Sequence, residues 1–359
     1  MIGGDLLATG SSSCIFRPSI PCKGETGSHK SKVSKIVYGE KALKYYIKEK
    51  NIAQTIKKIK GYSNWCIISE KFCDPPSYDN IFKYDKQILS CKDRDYEHIF
   101  NDSSKMMTSK YGGITFEDYF NDEVLVIKDL KHIEMNMYKL LKKMKYLFIG
   151  LTKIHKSKLV HLDIKYNNIV LDGKYFKYID FGLSSELEDT NHFRLRSLSE
   201  FKSKRIYLWY PLEYLYAVID DSSKMKELSK LESSPKFRKH YKTGVNIHKL
   251  FNKLFNDHAV SLLKSRKIQT ESEYKELVSS IDVYSLGIMI PFFFIDYSLY
   301  DFIFESEFLK ELFILFRNMC EFDYRKRIKP DECLNRYNKL MKKYSHFDNS
   351  KGKKTKKRK

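Results

Sequence analysis

HLDIKYNNIVLDGKYFKYIDFGL, from His161 to Leu183, sets Asp163, Asn168 and Asp180 on either side of a short hairpin. NIVL and YFKYI are β-rich runs joined by Asp172-Gly173, a strong hairpin-turn dipeptide. A hairpin there folds Asp180 back beside Asp163 and Asn168. Clustered carboxylates repel each other and lose hydration unless a cation or proton joins them. Asp180 and the side-chain oxygen of Asn168 are hard oxygen ligands of the kind that suits Mg²⁺ carrying a phosphate chain. Asp163 can face the space where a hydroxyl approaches. Lys165, just after it, can aim its ammonium at a transferring phosphoryl group and offset its growing charge.

Working outward, a chain of 359 residues exceeds one average domain, so one large bilobal unit or two domains is expected. Hydrophobic residues make up 42% and charged residues 31%, which fits a folded soluble chain and argues against disorder. The formal charge of +21 implies a surface drawn to anions: nucleotide, nucleic acid, acidic protein or membrane headgroups. Cys14, Cys22, Cys66, Cys73, Cys91, Cys320 and Cys333 form no CxxC pair and no regular spacing. That scatter predicts reduced thiols in a cytosolic setting, not a disulfide framework or zinc site. MIGGDLLATG has no basic region followed by an apolar core, so no secretory signal is expected. IMIPFFFI (Ile288 to Ile295) is shorter than a bilayer span and predicts a buried helix. Leu140, Leu141, Met144, Leu147, Phe148, Leu151 and Ile154 recur three and four apart, which predicts a core helix leading into His161.

HLDIKYNN matches the pattern H-R-D-L-x-x-x-N, and Asp180-Phe181-Gly182 matches D-F-G; with these the chain resembles the eukaryotic-type protein kinases. The resemblance implies an α+β, bilobal protein-kinase-like fold with a small β-rich N-lobe and a larger helical C-lobe. The N-lobe and hinge then cover residues 1–113 and the C-lobe 114–348, with a helical insert over about 214–280 and a basic disordered tail at 349–359. It further implies ATP and Mg²⁺ as cofactors, with Asp163 orienting the substrate hydroxyl and accepting its proton. Asn168, rather than Asn167, and Asp180 hold the metal. Lysine at Lys165 looks like the serine/threonine class, so protein Ser/Thr hydroxyls are the implied acceptors. His161 and Phe181 are packing residues. SSIDVYSLG resembles the start of the large C-lobe helix, with Asp282 capping amides of the catalytic loop. WYPLEY stands where A-P-E is expected, and FDYRKRIKPDECL supplies Arg327 as the buried partner of Glu213.

Upstream, TGSSSCIFRP occupies the place of the Gly-rich phosphate loop and keeps only Gly10 of its glycines. Ser11, Ser12 and Ser13 can present amides and hydroxyls to phosphate, with Ile15 on the strand that follows. Lys35 on VSKIV is the expected grip on the α- and β-phosphates. Glu49 is its expected helix partner, ahead of Glu40, which Gly39 places too near the turn. MTSKYGGITFEDYF resembles the hinge, with Ser109 near the gatekeeper and Lys110 to Gly113, Gly112 included, lending backbone groups to adenine. YGG here, SK at the strand lysine and Y-P-x-E are similar to the kinases of large cytoplasmic DNA viruses. That likeness implies host cytoplasm, with virion association and nuclear import through the basic tail as alternatives.

Two departures carry expectations of their own. Leu162 stands where the family's Arg reads phosphate on the activation segment, so activity is expected not to require phosphorylation at Thr190, Ser197 or Ser199. The Lys-rich stretch between Glu213 and Asp282 is far longer than that connection normally holds. VNIHKLFNKLFNDHAVSLL within it has helix-like spacing, expected to pack on the C-lobe or to dock an acidic partner. Attraction to nucleic acid or membrane is expected to be non-specific. The competing readings are a pseudokinase scaffold, suggested by the eroded glycine loop, and a small-molecule phosphotransferase, which shares HxDxxxxN.

Overall fold

The computed structural model describes residues 5–10, 13–27, 29–77, 103–202, 209–211, 213–216, 270–321 and 323–348. Ser11, Ser12, Cys91, the expected helix at Val245 to Leu263 and the basic tail lie outside the described residues. The architecture is α+β, with a β-rich N-terminal part and a helical C-terminal part. One compact unit comprises Met1–Gly113 with Lys177–Ser184; the other comprises Ile114–Phe176 with Ser185–Lys359.

The first unit is a five-stranded antiparallel sheet in the order β1-β2-β3-β5-β4. Its strands are β1 (Asp5–Thr9), β2 (Ser13–Arg17), β3 (Lys32–Val37), β4 (Lys71–Cys73) and β5 (Lys105–Lys110), with helix α1 (Ala42–Lys57) between β3 and β4. Strand alternation sorts β3 onto two faces. Ile36 joins Cys14, Phe16, Ile20, Tyr38 and Met106 in one core, while Val37 joins Ala42 and Met107 in another. Lys35 shares the Val37 face. A strap leaves β2 at Pro18, is held on β3 where the Ile20 amide donates to Ser34 Oγ (2.9 Å), and ends at the far edge strand.

There Cys22 and Cys73 form a disulfide, and Cys14 is also disulfide-bonded. The expectation of reduced thiols throughout is thereby corrected. The two partners are 51 residues apart, and only the strap's crossing of the sheet brings them together. Cys66, Cys320 and Cys333 are free and buried.

The second unit runs through helices α2 (Phe116–Tyr119), α3 (Leu130–Lys143) and α4 (Lys145–Lys156) to strand β6 (Leu159–Val160). The expected apolar stripe is buried throughout, but it breaks into two helices at Met144. β7 (Ile169–Asp172) and β8 (Tyr175–Tyr178) form the hairpin. Asp172 ends its strand, so the turn falls one residue later, on Gly173 and Lys174, with Gly173 at φ +67°.

β9 (Ser185–Glu186) pairs back on β6 and leads to α5 (Thr190–Lys202) and α6 (Glu213–Tyr216). The C-terminal helices are α7 (Glu271–Asp296), α8 (Asp301–Glu305), α9 (Glu307–Met319) and α10 (Pro330–Lys343). α7 absorbs IMIPFFFI into a helix long and apolar enough to cross a membrane. However, 83% of its most apolar window is buried inside the protein, as befits a core helix. Gly287 lets α9 approach: a Cβ there would stand 2.6 Å from that of Met319.

Candidate active site

In the first unit the Lys35 ammonium sits between two carboxylates, 3.0 Å from Glu49 Oε2 and 2.7 Å from Asp180 Oδ1. Alternation on β3 aims Lys35 at α1, and helical spacing turns Glu49 inward with Ile52, Ala53 and Ile56. Glu40, the alternative partner, is exposed in the turn before the helix. Burial alone would lower the Lys35 ammonium, but Asp180 and Glu49 outweigh it and hold the group well above the ordinary lysine value. Lys35 therefore stays charged across the neutral range. Gly182 completes the cluster: a Cβ there would stand 3.2 Å from Asp180 Oδ1. Asp180 itself adopts a left-handed backbone, φ +61°, which is costly for a residue with a side chain.

Ser69 is a member that the sequence reading missed. Its hydroxyl donates to Glu49 Oε1 at 3.0 Å, fixing the carboxylate from the side opposite Lys35. Both residues are buried, so Ser69→Ala leaves a charged oxygen without that donor. The expected cost is about 1.5–3 kcal/mol in urea unfolding, the range for hydrogen bonds to charged groups. A change below a few tenths would show the bond to be incidental.

Gly10 donates its amide to Ser13 O (2.7 Å) at the β1–β2 turn, and Ile15 stands opposite Lys35 in the strand register. Opposed residues share a face, so Ile15 lies on the Lys35 side of the sheet. Lys110 ends β5, the Tyr111 amide donates to Ser31 O, and Gly112 is buried.

The second unit holds the other constellation. His161 and Leu162 donate their amides to the two oxygens of Asp282, at 2.6 and 2.9 Å. The Asp163 amide donates to His161 Nδ1 at 3.3 Å. The Asp163 carboxylate accepts from Asn168 Nδ2 at 2.6 Å, and Lys165 Nζ lies 3.1 Å from both its oxygens. Asn168 is buried while Asn167 is exposed. Because Asn168 Nδ2 also donates to Asp163 O (2.9 Å), its Oδ1 is the atom of the amide suited to a cation. Thus the structure groups Asp163, Lys165 and Asn168 in one unit, and Asp180 with Lys35 and Glu49 in the other.

The segment after D-F-G carries a helix for which the sequence set no expectation. Thr190 to Lys202 is helical, with Thr190 buried and bonded to Glu271. Ser197 is fully buried, its hydroxyl donating to Tyr214 O at 2.8 Å. These two are structural residues rather than exposed acceptors of phosphate; Ser199 alone of the three is exposed. Beyond them Arg327 donates to Glu213 in a buried pair.

The donor chemistry fits Mg²⁺ in company with phosphate. Asp180, its side chain about a third exposed, and Asn168 Oδ1 offer one anionic and one neutral hard oxygen. No group of three or more His, Cys, Asp or Glu that could hold a metal occurs among the described residues. Either oxygen would leave most of a cation's shell to phosphate and water, as Mg²⁺ commonly allows.

One unit thus holds a lysine clasped by two carboxylates next to Phe181-Gly182, and the other holds an Asp–Lys–Asn loop. A family model of the protein kinase domain matches residues 98–210, the stretch that carries HLDIKYNN and Asp180-Phe181-Gly182. The match supports a protein kinase.

Proposed function

We propose that the chain is a serine/threonine protein kinase, transferring the γ-phosphate of ATP to protein hydroxyls with Asp163 as the base. The observation that carries this reading is the Lys35 ammonium held at 3.0 and 2.7 Å between Glu49 and Asp180. A buried ammonium held by two carboxylates can bind the α- and β-phosphates. Asp163 orients the acceptor hydroxyl and takes up its proton as the O–P bond forms, and Lys165 lends positive charge beside it. Asn168 and Asp180 would hold Mg²⁺, which neutralises charge on the phosphate oxygens when bound. Lys165 at its place two residues past Asp163 favours Ser and Thr as acceptors, and the net charge of +21 favours acidic stretches around them.

The test is transfer of radiolabel from γ-labelled ATP to an acidic protein substrate, followed by phosphoamino-acid analysis. Phosphoserine or phosphothreonine is expected, with label lost on adding EDTA. Phosphotyrosine would overturn the Ser/Thr assignment, and no label in any protein would leave a nucleotide-binding scaffold.

A further inference from the structure

Leu162 adopts φ +60°, a left-handed backbone that a bulky side chain takes only when its surroundings enforce it. It immediately precedes Asp163, so the peptide that it distorts sets where the base sits. Its amide is held by Asp282 Oδ1. Its carbonyl, the group that joins it to Asp163, accepts a hydrogen bond from the Tyr210 hydroxyl at 2.5 Å, and all three residues are buried.

Tyr210 is itself anchored from several directions. Its ring packs edge-on against Tyr214 at 5.0 Å, and the Arg196 guanidinium lies 5.0 Å from its centroid. The Tyr214 hydroxyl donates to Phe193 O (2.9 Å) and its carbonyl accepts from Ser197. The neighbouring Trp209 carbonyl accepts from Ser285 of α7 at 2.6 Å. The end of the activation segment is thereby fixed to the core helix and to α5, and from that base one phenol reaches the strained peptide.

We infer that Tyr210 is a positioning residue whose hydroxyl keeps the catalytic loop in working geometry, the place where a phosphorylated segment is otherwise needed. Leucine cannot read phosphate, Thr190 and Ser197 are buried in structural bonds, and the phenol supplies a tie that requires no modification. The catalytic loop is then switched on by folding alone. This rests on the proposed kinase activity for its rate readout, though the tie itself is a statement about the peptide at Leu162.

The experiment is a double-mutant cycle between Tyr210→Phe and Leu162→Gly, read by initial rates and by amide hydrogen exchange at residues 161–163. Phe keeps the ring packing and removes only the hydroxyl. With Leu162 retained, kcat is expected to fall about tenfold with KM for ATP unchanged, and exchange at the loop to quicken by a similar factor. Glycine accepts positive φ without cost, so in the Leu162→Gly background the same hydroxyl deletion is expected to matter little. The cavity left by the leucine is present in both proteins of the Leu162→Gly pair and cancels within that pair. Phosphatase-treated wild type is expected to keep its rate.

An equal effect of Tyr210→Phe in both backgrounds, or none in either, overturns the inference, as does activity lost on phosphatase treatment. If wild type transfers no phosphate, the kinase proposal fails by itself. Exchange at 161–163 then still decides the tie.

Discussion

Asp163→Asn is expected to lower kcat about 10²–10⁴-fold, the range for losing a positioned general base, while the protein stays folded. Asp163 is 5% exposed, and its carboxylate takes the Asn168 amide at 2.6 Å and lies within 3.1 Å of the Lys165 ammonium. Asparagine keeps the shape and one acceptor oxygen for Asn168 Nδ2. It loses the basicity that the proposed mechanism assigns to uptake of the hydroxyl proton, and the charge that anchors Lys165. Backbone ties through His161 Nδ1 and Asp282 remain, so the loop keeps its course. Initial rates at saturating ATP, with melting curves for both proteins, check this. A variant retaining more than about a tenth of the wild-type rate would remove Asp163 from the role of base.

The residues that the sequence revealed are those whose chemistry is tied to a short spacing. Asp163, Lys165 and Asn168 share one loop, and the 14-position step from Lys35 to Glu49 runs from one strand end into the next helix. Ser69 could not be found this way. It lies on no periodic pattern, and only the fold brings its hydroxyl to Glu49. The Cys22–Cys73 disulfide was hidden for the same reason, since its strap crosses from β2 to the far edge strand before the thiols meet. Helix α5 was missed because its apolar face is poor: Phe193 is fully buried while Leu195, two residues later, is 68% exposed. Leu162 was legible as a departure, but its positive φ and the Tyr210 bond were not, because both are set by contacts distant in sequence.

Arg327→Met is expected to cost about 3–5 kcal/mol of stability, the range for stranding one partner of a buried ion pair. The guanidinium side chain is fully buried. It donates to Glu213 Oε1, to Ser280 Oγ at 2.8 Å and to Glu321 O at 2.7 and 3.0 Å. Glu213 Oε2 has no hydrogen-bond partner among the described residues, so Arg327 is the carboxylate's principal compensation. Burial already pushes the Glu213 carboxyl above its ordinary value, with Arg327 opposing the shift. Removing the cation raises it further. A carboxyl raised in the folded state gives stability that is present at acid pH and lost as pH climbs above the ordinary carboxylate range. The deficit of Arg327→Met relative to wild type is therefore expected to widen from acid to neutral pH. Adding Glu213→Gln removes the stranded charge, so it should restore part of the stability and flatten that pH dependence. Urea unfolding of both variants against wild type at acid and neutral pH measures each step. A deficit that does not change with pH would mean that lost packing and the Ser280 and Glu321 bonds, rather than the stranded carboxylate, set the cost.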